Sequence, residues 1–376
     1  MPAHYGLLTT SHPHAGDPVA GCFVREMADA LRARGHAVTT VCVARRTGEG
    51  WDAPLGTDVR AARYPGGMTF YGGGAPDALG LGGGDLRWRA WAGAPFAVAS
   101  LAWASRALDG CDALVSHFVL PCGALASLRR RGRPHVAVAH GTDGWLLARA
   151  PARLQALALR GVDALWCTHA ALRDRLALPA GLRCEVRPMG WSEHAVARST
   201  SRSLRLLVLS RLVPVKRIER AVAAVAILRA RGRDVTLTVA GDGPSRASLE
   251  AMAGDGVRFV GAVDPSQRGA LFADTDVFVH AAGPVGGRTE GAPVAVLEAL
   301  GHGLAVVACD AGGVRELTGD AALVLPADAP PESIADAIDE LDPARRADLG
   351  ARARARAAPW RWDATAAWIE ALTGAR

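Results

Sequence analysis

The chain has 376 residues, half of them hydrophobic, a length that suits two domains of medium size. Its net charge is +6, but acids and arginines alternate through most of the chain, and this diffuse pattern argues against nucleic-acid binding. No apolar run reaches about eighteen residues, so no transmembrane helix is expected, and the N-terminus lacks the pattern of a signal peptide. Seven scattered cysteines, never in a Cys-x-x-Cys pair, favour reduced thiols in the cytoplasm.

Short apolar runs alternate with helical patterns along the whole chain, beginning with the first half. The predicted strands there cover residues 5–10, 37–43, 113–117, 135–140, 164–168 and 184–188. The predicted helices between them cover residues 19–34, 86–108 and 145–160. The Gly-rich segment 65–84 is predicted to be a long loop. The first half therefore predicts a parallel sheet covered by helices on both faces.

The second half repeats this alternation after a polar stretch. The predicted strands cover residues 205–210, 235–240, 258–260, 277–280, 305–308 and 322–325. The predicted helices cover residues 218–231, 245–253, 267–273, 293–301, 332–341 and 360–372. We predict a first domain over 1–189, a linker over 190–203 and a second domain over 204–357. Residues 358–376, with three tryptophans, are predicted to form a helix that packs back across the domains.

Two cations follow the first strand of the second domain. Arg211 and Lys216 lie in a Ser-Arg-Leu-Val-Pro-Val-Lys segment that leads into a helix. Lys216 is the only lysine among 43 lysines and arginines, so this position either needs a compact ammonium group or holds a lysine by chance. Ligands on parallel sheets bind beyond the carboxyl ends of the strands, where two cations can stabilise a leaving diphosphate. The alternative is a pair of exposed cations in an ordinary loop.

Two glutamates flank the start of a later helix. Glu290 lies in a loop, Gly291 permits close backbone approach, and Pro293 suits the first helical turn. The free N–H groups of that turn can face a phosphate. Glu298 is expected about two turns inside the helix, where its carboxylate can accept hydrogen bonds from a ribose. The alternative for Glu298 is an ordinary exposed helix residue.

These glutamates belong to a longer pattern, Glu-Gly-x-Pro-x-x-x-Leu-Glu-Ala-Leu, which is followed by Gly-rich segments at 301–307 and 312–316. The combination resembles the retaining glycosyltransferases of family 4. The segments 210–216, 240–244 and 259–261 agree with the same family, so the resemblance covers nearly the whole second domain. It implies an α/β architecture of the GT-B type, with two Rossmann-like, doubly wound parallel-sheet domains and a cleft between them.

The resemblance also implies roles for individual residues of the second domain. Arg211 and Lys216 would bind the donor diphosphate, Glu290 the donor-sugar hydroxyls near the reacting centre, and Glu298 the ribose. The other implied donor-binding positions are Gly241, Val260, Gly291, Ala292, Pro293 and Val294. Pro293 has no N–H, so the amides of its neighbours would serve the sugar and the phosphates.

The first domain resembles the family more loosely. The loop after its first strand resembles the family's glycine loop near the donor phosphates, and Gly16 and Gly21 are both candidates for the glycine that it needs. His140 resembles a histidine that contacts the donor sugar and acts with Arg211, Lys216 and Glu290 in catalysis. The alternative for His140 is a histidine satisfied by backbone groups. For His117 two roles are open: it either lines an acceptor cleft or belongs to the core.

The resulting hypothesis is transfer of a hexosyl group, with retention, from a nucleotide sugar to an acceptor hydroxyl. A UDP-sugar is the favoured donor and GDP-mannose the next, and the acceptor is a natural product, a glycolipid or a polysaccharide intermediate. An epimerase of the same fold and a non-catalytic nucleotide-sugar-binding protein are the alternatives. No cofactor and no metal are expected, because Asp274-Thr-Asp276 fits a structural stretch of the family. No nucleic acid is expected as a partner.

The basic stretch from Arg345 to Arg361 is interpreted as a solvated helix face. Its alternative is peripheral contact with an anionic membrane or with an acidic acceptor. The oligomeric state cannot be read from the sequence.

Overall fold

The computed structural model describes residues 1–45, 50–64, 88–194, 201–286 and 290–374. These residues form two compact units, of which the first comprises residues 1–190 and 362–376 and the second residues 191–361. The Gly-rich segment predicted as a loop at 65–84 lies outside the described residues, as do residues 195–200 of the predicted linker. The second unit therefore interrupts the first in sequence.

The first unit contains a parallel sheet of seven strands in the order β3-β2-β1-β4-β5-β6-β7. The strands are β1 (His4–Leu8), β2 (Ala37–Val43), β3 (Val59–Ala62), β4 (Ala113–His117), β5 (His135–Ala139), β6 (Ala164–Cys167) and β7 (Arg183–Val186). Strand β3 was not predicted, because Val-Arg-Ala-Ala is short and has no continuous apolar character. Among the described strands it lies at the edge of the sheet, next to β2.

Among the described residues, six α-helices of the first unit precede the second unit in sequence. They are α1 (Cys22–Ala33), α2 (Trp88–Ala104), α3 (Ala124–Arg129), α4 (Thr142–Leu147), α5 (Ala152–Ala158) and α6 (Ala170–Arg173). The prediction of one helix over 145–160 was wrong, since α4 and α5 are separate. Pro151 has no N–H to continue a helix and takes an extended conformation (φ −51°, ψ 144°) before α5.

The second unit contains a parallel sheet of six strands in the order β10-β9-β8-β11-β12-β13. The strands are β8 (Leu204–Leu209), β9 (Val235–Ala240), β10 (Val257–Gly261), β11 (Val277–His280), β12 (Ala305–Cys309) and β13 (Leu323–Leu325). Side chains of β8 alternate between two cores, with Leu206 and Val208 in one and Leu207 and Leu209 in the other. Both faces of this sheet are therefore covered, as predicted.

The helices of the second unit cover the two faces of this sheet. They are α7 (Ile218–Ala230), α8 (Arg246–Met252), α9 (Arg268–Ala273), α10 (Val294–Gly301), α11 (Val314–Thr318), α12 (Pro331–Asp339) and α13 (Pro343–Ala357). The strand order changes direction between β8 and β11, as it does between β1 and β4 in the first unit. The loops after these strands are where a ligand of a doubly wound sheet is expected.

The last helix, α14 (Trp362–Thr373), returns to the first unit. Trp362 Nε1 donates a hydrogen bond of 2.7 Å to Glu26 in α1. The Trp368 ring lies edge-on to Trp166 at 4.9 Å. Trp360 instead belongs to the second unit, where Arg356 lies over its ring at 4.9 Å.

Several arginines between 345 and 361 bond within their own unit. Arg352 and Arg354 donate to the carbonyl oxygens of Asp320 and His302, and Arg356 donates to those of Glu316 and Leu317. These contacts attach α13 to neighbouring elements. No described helix is long and apolar enough to cross a membrane.

Candidate functional site

The loop after β8 carries both predicted cations. Arg211 is exposed, and Lys216 ends a short 3-10 turn, Pro214–Lys216, directly before α7. Lys216 Nζ donates to Glu290 Oε2, and both side chains are mostly buried, with 16% and 13% exposed. The structure therefore brings together two residues that the sequence analysis treated as separate candidates.

Backbone contacts hold the two loops that carry this pair. Gly283 N, in the loop after β11, donates a hydrogen bond of 3.1 Å to Val215 O. Gly312 has a φ of 65°, and a side chain there would lie 2.4 Å from Glu290 O. A glycine is required at Gly312 for both reasons. The Gly-Gly motif at 312–313 thus supports the loop of Glu290.

The surroundings keep Glu290 ionised. Burial raises the pKa of the Glu290 carboxyl, but Lys216, His280 and Arg211 outweigh that effect and hold the pKa below its usual value. His280 Nε2 lies 4.0 Å from Glu290 Oε2, and burial lowers the pKa of His280 to about 4. At neutral pH Glu290 is thus a carboxylate beside the neutral imidazole of His280.

The Gly-rich turn after β9 packs against the same region. Gly241 has a φ of 140°, and a side chain there would lie 1.8 Å from Ser210 O. Gly241 N donates 2.7 Å to Gly261 O at the end of β10. Val260 is 37% exposed in that strand. The turn therefore links the strand ends of β8, β9 and β10.

Glu298 is buried, so the alternative of an exposed helix residue was wrong. Helix α10 begins at Val294, with Pro293 at its N-cap, because residues 290–293 are not helical. Glu298 consequently lies about one turn inside the helix, not two as predicted. Its Oε1 accepts a hydrogen bond of 2.7 Å from Arg268 Nη1 in α9. Within the described residues, its Oε2 is buried without a hydrogen-bonding partner.

The two aspartates of Asp274-Thr-Asp276 both pair with one arginine. Arg205 donates to Asp274 Oδ1 at 2.6 Å and to Asp276 Oδ1 at 3.0 Å. Asp276 also accepts a hydrogen bond from the Arg205 backbone. In the described ranges, no group of three or more His, Cys, Asp and Glu residues is arranged to hold a metal.

In the first unit, the conformation of the loop after β1 distinguishes between the two candidate glycines. Gly21 adopts a left-handed conformation (φ 72°) at the N-cap of α1, and a side chain there would lie 2.4 Å from Ser11 O. Gly16 N donates 2.7 Å to Asp52 Oδ2, and Gly16 has no such φ. Gly21 is therefore the position whose backbone demands a glycine.

His140 lies directly after β5, in a cluster of rings. Its Nε2 is 3.0 Å from Nδ1 of His117, and the two imidazoles are stacked with centroids 5.2 Å apart. The rings of Phe23 and Phe118 lie 4.8 and 4.7 Å from His140. His140 is therefore held by another side chain, whereas its alternative was a histidine satisfied by backbone groups. His117 is fully buried.

Asp143 shapes the turn that carries His140. Its Oδ1 accepts hydrogen bonds from the backbone N–H groups of His140 and Gly141, and its Oδ2 accepts one from Val119. Burial raises the pKa of this carboxyl, against the effect of these hydrogen bonds. Asp143 thus fixes the backbone of the histidine turn.

Four residues near these sites were missed by the sequence analysis as site residues. They are Asp143, Arg220, Arg268 and His280. Arg220 donates to Ala281 O and Ala329 O and so anchors the loop after β11. A polar residue at the end of a buried strand was the available signal for His280, whereas nothing in the sequence pointed to Arg268.

Two parallel-sheet units with basic and glycine-rich loops beyond the strand ends define a GT-B protein. Sucrose-phosphate synthase from Thermosynechococcus elongatus is similar, with a TM-score of 0.74 and 18% identity over 98% of each chain. HepE from Anabaena, solved with UDP-glucose, has a TM-score of 0.67 and 16% identity over 98% of this chain and 99% of its own. At such identities the likeness concerns the fold.

The sequence matches the family model described as Glycosyltransferase Family 4 over residues 20–190. It matches the model described as Glycosyl transferases group 1 over residues 203–342. These two matches span most of the chain, and the chain belongs to glycosyltransferase family 4. The predicted family and the predicted fold are both confirmed.

Among curated relatives, a GDP-mannose-dependent alpha-(1-6)-phosphatidylinositol monomannoside mannosyltransferase of Mycobacterium tuberculosis is 34% identical over 173 residues. That match covers 43% of this chain and 45% of the relative. A GDP-mannose-dependent alpha-mannosyltransferase of Mycolicibacterium smegmatis is 38% identical over 109 residues, which cover 29% of this chain and 26% of the relative. The chain thus spans less than half the length of these two relatives.

Proposed function

We propose that this protein transfers a hexosyl group from a nucleoside-diphosphate sugar to an acceptor hydroxyl with retention of configuration. The carrying observation is the contact between Lys216 and Glu290 beyond the neighbouring strands β8 and β11, where the strand order changes direction. A ligand of a doubly wound sheet is expected at such a position. Arg211 lies close enough to lower the pKa of Glu290, so two cations serve one small region.

In this proposal Arg211 and Lys216 bind the diphosphate as negative charge develops on it. Glu290 accepts hydrogen bonds from donor-sugar hydroxyls, and Glu298 accepts one from the ribose through Oε2. The backbone N–H groups of Gly291 and Ala292, before α10, and of Val294, its first residue, are proposed to face the donor. In the first unit, the proposed substrate contacts are His140 and the glycine loop at Gly21.

The chemistry is a same-face displacement. The bond between the anomeric carbon and the leaving phosphate oxygen breaks, and the acceptor oxygen bonds to the same face of that carbon. The leaving phosphate takes the acceptor proton, so the protein supplies position and charge stabilisation. We propose that Lys216 and Arg211 together neutralise the diphosphate, so that the reaction needs no metal.

The names of the curated relatives change which nucleotide sugar we propose first as the donor. The sequence analysis favoured a UDP-sugar, but the curated relatives described above are named GDP-mannose-dependent. We therefore place GDP-mannose first and a UDP-hexose second. One of these relatives is named for a phosphatidylinositol monomannoside, which makes a glycolipid hydroxyl the first acceptor class to test.

The test offers GDP-mannose and UDP-glucose in separate arms, with a phosphatidylinositol mannoside as acceptor. A donor present at 100 times its Kd stabilises the folded protein by about 2.7 kcal/mol, which a thermal shift detects. We expect the larger shift and GDP release with GDP-mannose, and an α-linked product by NMR. An inverted product contradicts the mechanism, and a donor-only incubation that yields an epimer supports the epimerase alternative.

A further inference from the structure

We propose that His117 is a positioning residue: it donates its Nδ1 proton to His140 Nε2 and thereby leaves His140 with an Nδ1–H donor for the substrate. This inference rests on the proposed function for the role of that donor. The placement of the protons depends only on the first unit.

The two rings form one hydrogen-bonded pair. His117 Nδ1 and His140 Nε2 are 3.0 Å apart, a normal distance for an N–H···N hydrogen bond. Phe23 contacts both rings, at 5.5 Å from His117 and 4.8 Å from His140, and Phe118 lies against His140. This aromatic surround limits both rings to a narrow range of orientations.

Both imidazoles are neutral at pH 7. Burial lowers the pKa of His117 well below its usual range, with a smaller contribution from His140. Burial also lowers the pKa of His140 to about 3. Each ring therefore carries one proton, and only one of the two facing nitrogens carries a proton.

The surroundings of His117 Nε2 decide which of the two facing nitrogens carries the proton. His117 Nε2 is buried and has no hydrogen-bonding partner within the described part of the chain. If His140 donated, the His117 proton would have to sit on Nε2 as a buried donor without an acceptor. If His117 donates from Nδ1, Nε2 keeps only a lone pair, and unpaired buried donors are rarer than unfilled acceptors.

The consequence falls on His140. Its Nε2 accepts from His117, so its proton is on Nδ1. His140 is partly exposed, whereas His117 is fully buried, so His140 is the ring that a substrate can reach. A neutral N–H at this place can donate to a sugar hydroxyl or to a developing negative charge without itself carrying charge.

The first test is long-range ¹⁵N–¹H NMR of the histidine rings in the full chain, with His140 assigned through a His140→Gln variant. We expect a protonated Nδ1 and a hydrogen-bonded, unprotonated Nε2 on His140, before any donor is added. A proton on His140 Nε2 overturns the proposal.

Three variants test the coupling. His117→Phe keeps an aromatic ring and removes the donor. His117→Asn places an amide nitrogen near the position of Nδ1, whereas His117→Gln places it near Nε2. We expect the Nδ1–H form of His140 to persist only in His117→Asn, and His140 ring signals that are unchanged in His117→Phe or His117→Gln overturn the proposal.

Kinetics supply the second readout. A wrong histidine tautomer costs about 10⁴-fold in kcat in serine proteases, and we expect a smaller loss here, about tenfold or more, with less change in donor KM. His117→Asn should recover most of that loss. His135→Gln is the matched control, because His135 is another fully buried histidine of the same sheet and bonds to Ser116 instead.

The two proposals fail separately. An unmodified protein that turns over no donor contradicts the proposed function, while the ring spectrum still decides the tautomer. Equal turnover by His117→Phe and the unmodified protein overturns the positioning role alone.

Discussion

Two cation–carboxylate pairs of the second unit look alike in type and differ in setting. Lys216 and Glu290 lie on loops beyond the strand ends, with 16% and 13% of their side chains exposed. Arg268 and Glu298 lie on helices α9 and α10, with 8% and 7% exposed. In the first pair, Glu290 also interacts electrostatically with the exposed Arg211. In the second pair, Glu298 Oε1 accepts a hydrogen bond from the buried Arg268. The comparison shows that two glutamates of one family motif can lie in different settings, one in a loop beyond the strand ends and one buried between two helices.

The largest expected effect concerns the buried pair. Removing one partner of a buried ion pair leaves an uncompensated charge, so Arg268→Met should lower the free energy of unfolding by about 3–5 kcal/mol. Urea unfolding monitored by circular dichroism measures the loss. The double variant Arg268→Met/Glu298→Leu should recover most of it, because both charges are then gone.

The control for this prediction is Arg246→Ala, which breaks an exposed helix pair with Glu250. Such an exposed pair contributes little to stability, because solvent screens both charges. A loss for Arg268→Met that is no larger than the loss for Arg246→Ala would show that the two pairs of the comparison do not differ as described.

The next effect concerns turnover. Lys216→Ala and Arg211→Ala should each lower transition-state stabilisation by about 2.7–4 kcal/mol, roughly 100- to 1000-fold in kcat, while the fold survives. Lys216→Arg should restore little, because a guanidinium does not replace a compact ammonium. Initial rates of nucleotide release check both statements.

The matched control is Arg217→Asn, which removes the neighbouring cation at a left-handed position (φ 48°) that asparagine tolerates. We expect turnover close to that of the unmodified protein. Near-normal kinetics in both Lys216→Ala and Arg211→Ala would move the donor diphosphate away from this loop.

A smaller effect separates the two glutamates directly. Glu290→Gln should cut the rate and leave the Kd of free GDP nearly unchanged, because Glu290 is proposed to act on the sugar. Glu298→Gln should weaken GDP binding by about 1.5–3 kcal/mol, because a hydrogen bond to a charged acceptor is lost. Calorimetry with GDP and UDP on both variants measures the difference.

The thermal unfolding of Glu298→Gln must be followed in the same experiment, since this variant also weakens the pair with Arg268. The opposite pattern, with GDP affinity lost in Glu290→Gln and kept in Glu298→Gln, reverses the two roles.

The last prediction is that removing metal ions has no effect on turnover. Excess EDTA should leave turnover unchanged, because two cations are proposed to balance the diphosphate. Steady-state rates with and without EDTA measure this, and inactivation that magnesium or manganese reverses refutes the metal-free mechanism.

Elements with a strong local signal were predicted well. Strands β2, β4, β9 and β11 have the predicted bounds, because most residues of each strand are apolar and most of its side chains are buried. Strand β3 escaped prediction because an edge strand needs less apolar surface. The break at Pro151 was missed because apolar periodicity outweighed the proline in the sequence analysis.

In the candidate site, too, the residues with a local signal were predicted and their distant partners were not. Arg211, Lys216, Glu290 and Glu298 were identified from a motif, because their spacing along the chain carries the family resemblance. The partners were not identified: Lys216 lies 74 residues before Glu290, and Arg268 lies 30 residues before Glu298. Such pairs arise from strand order and loop packing, for which local spacing contains no signal.

The sequence by itself determined the alternation of strands and helices, the glycosyltransferase family and the positions of the charged motif residues. These properties are local, since they depend on apolar period, glycine placement and residue order. Only the tertiary structure decided that Gly21 needs a glycine conformation, that Glu298 is buried against Arg268 and that His117 bonds to His140. Each of these depends on atoms from different elements, which approach one another only when the parallel sheets form and align the ends of their strands.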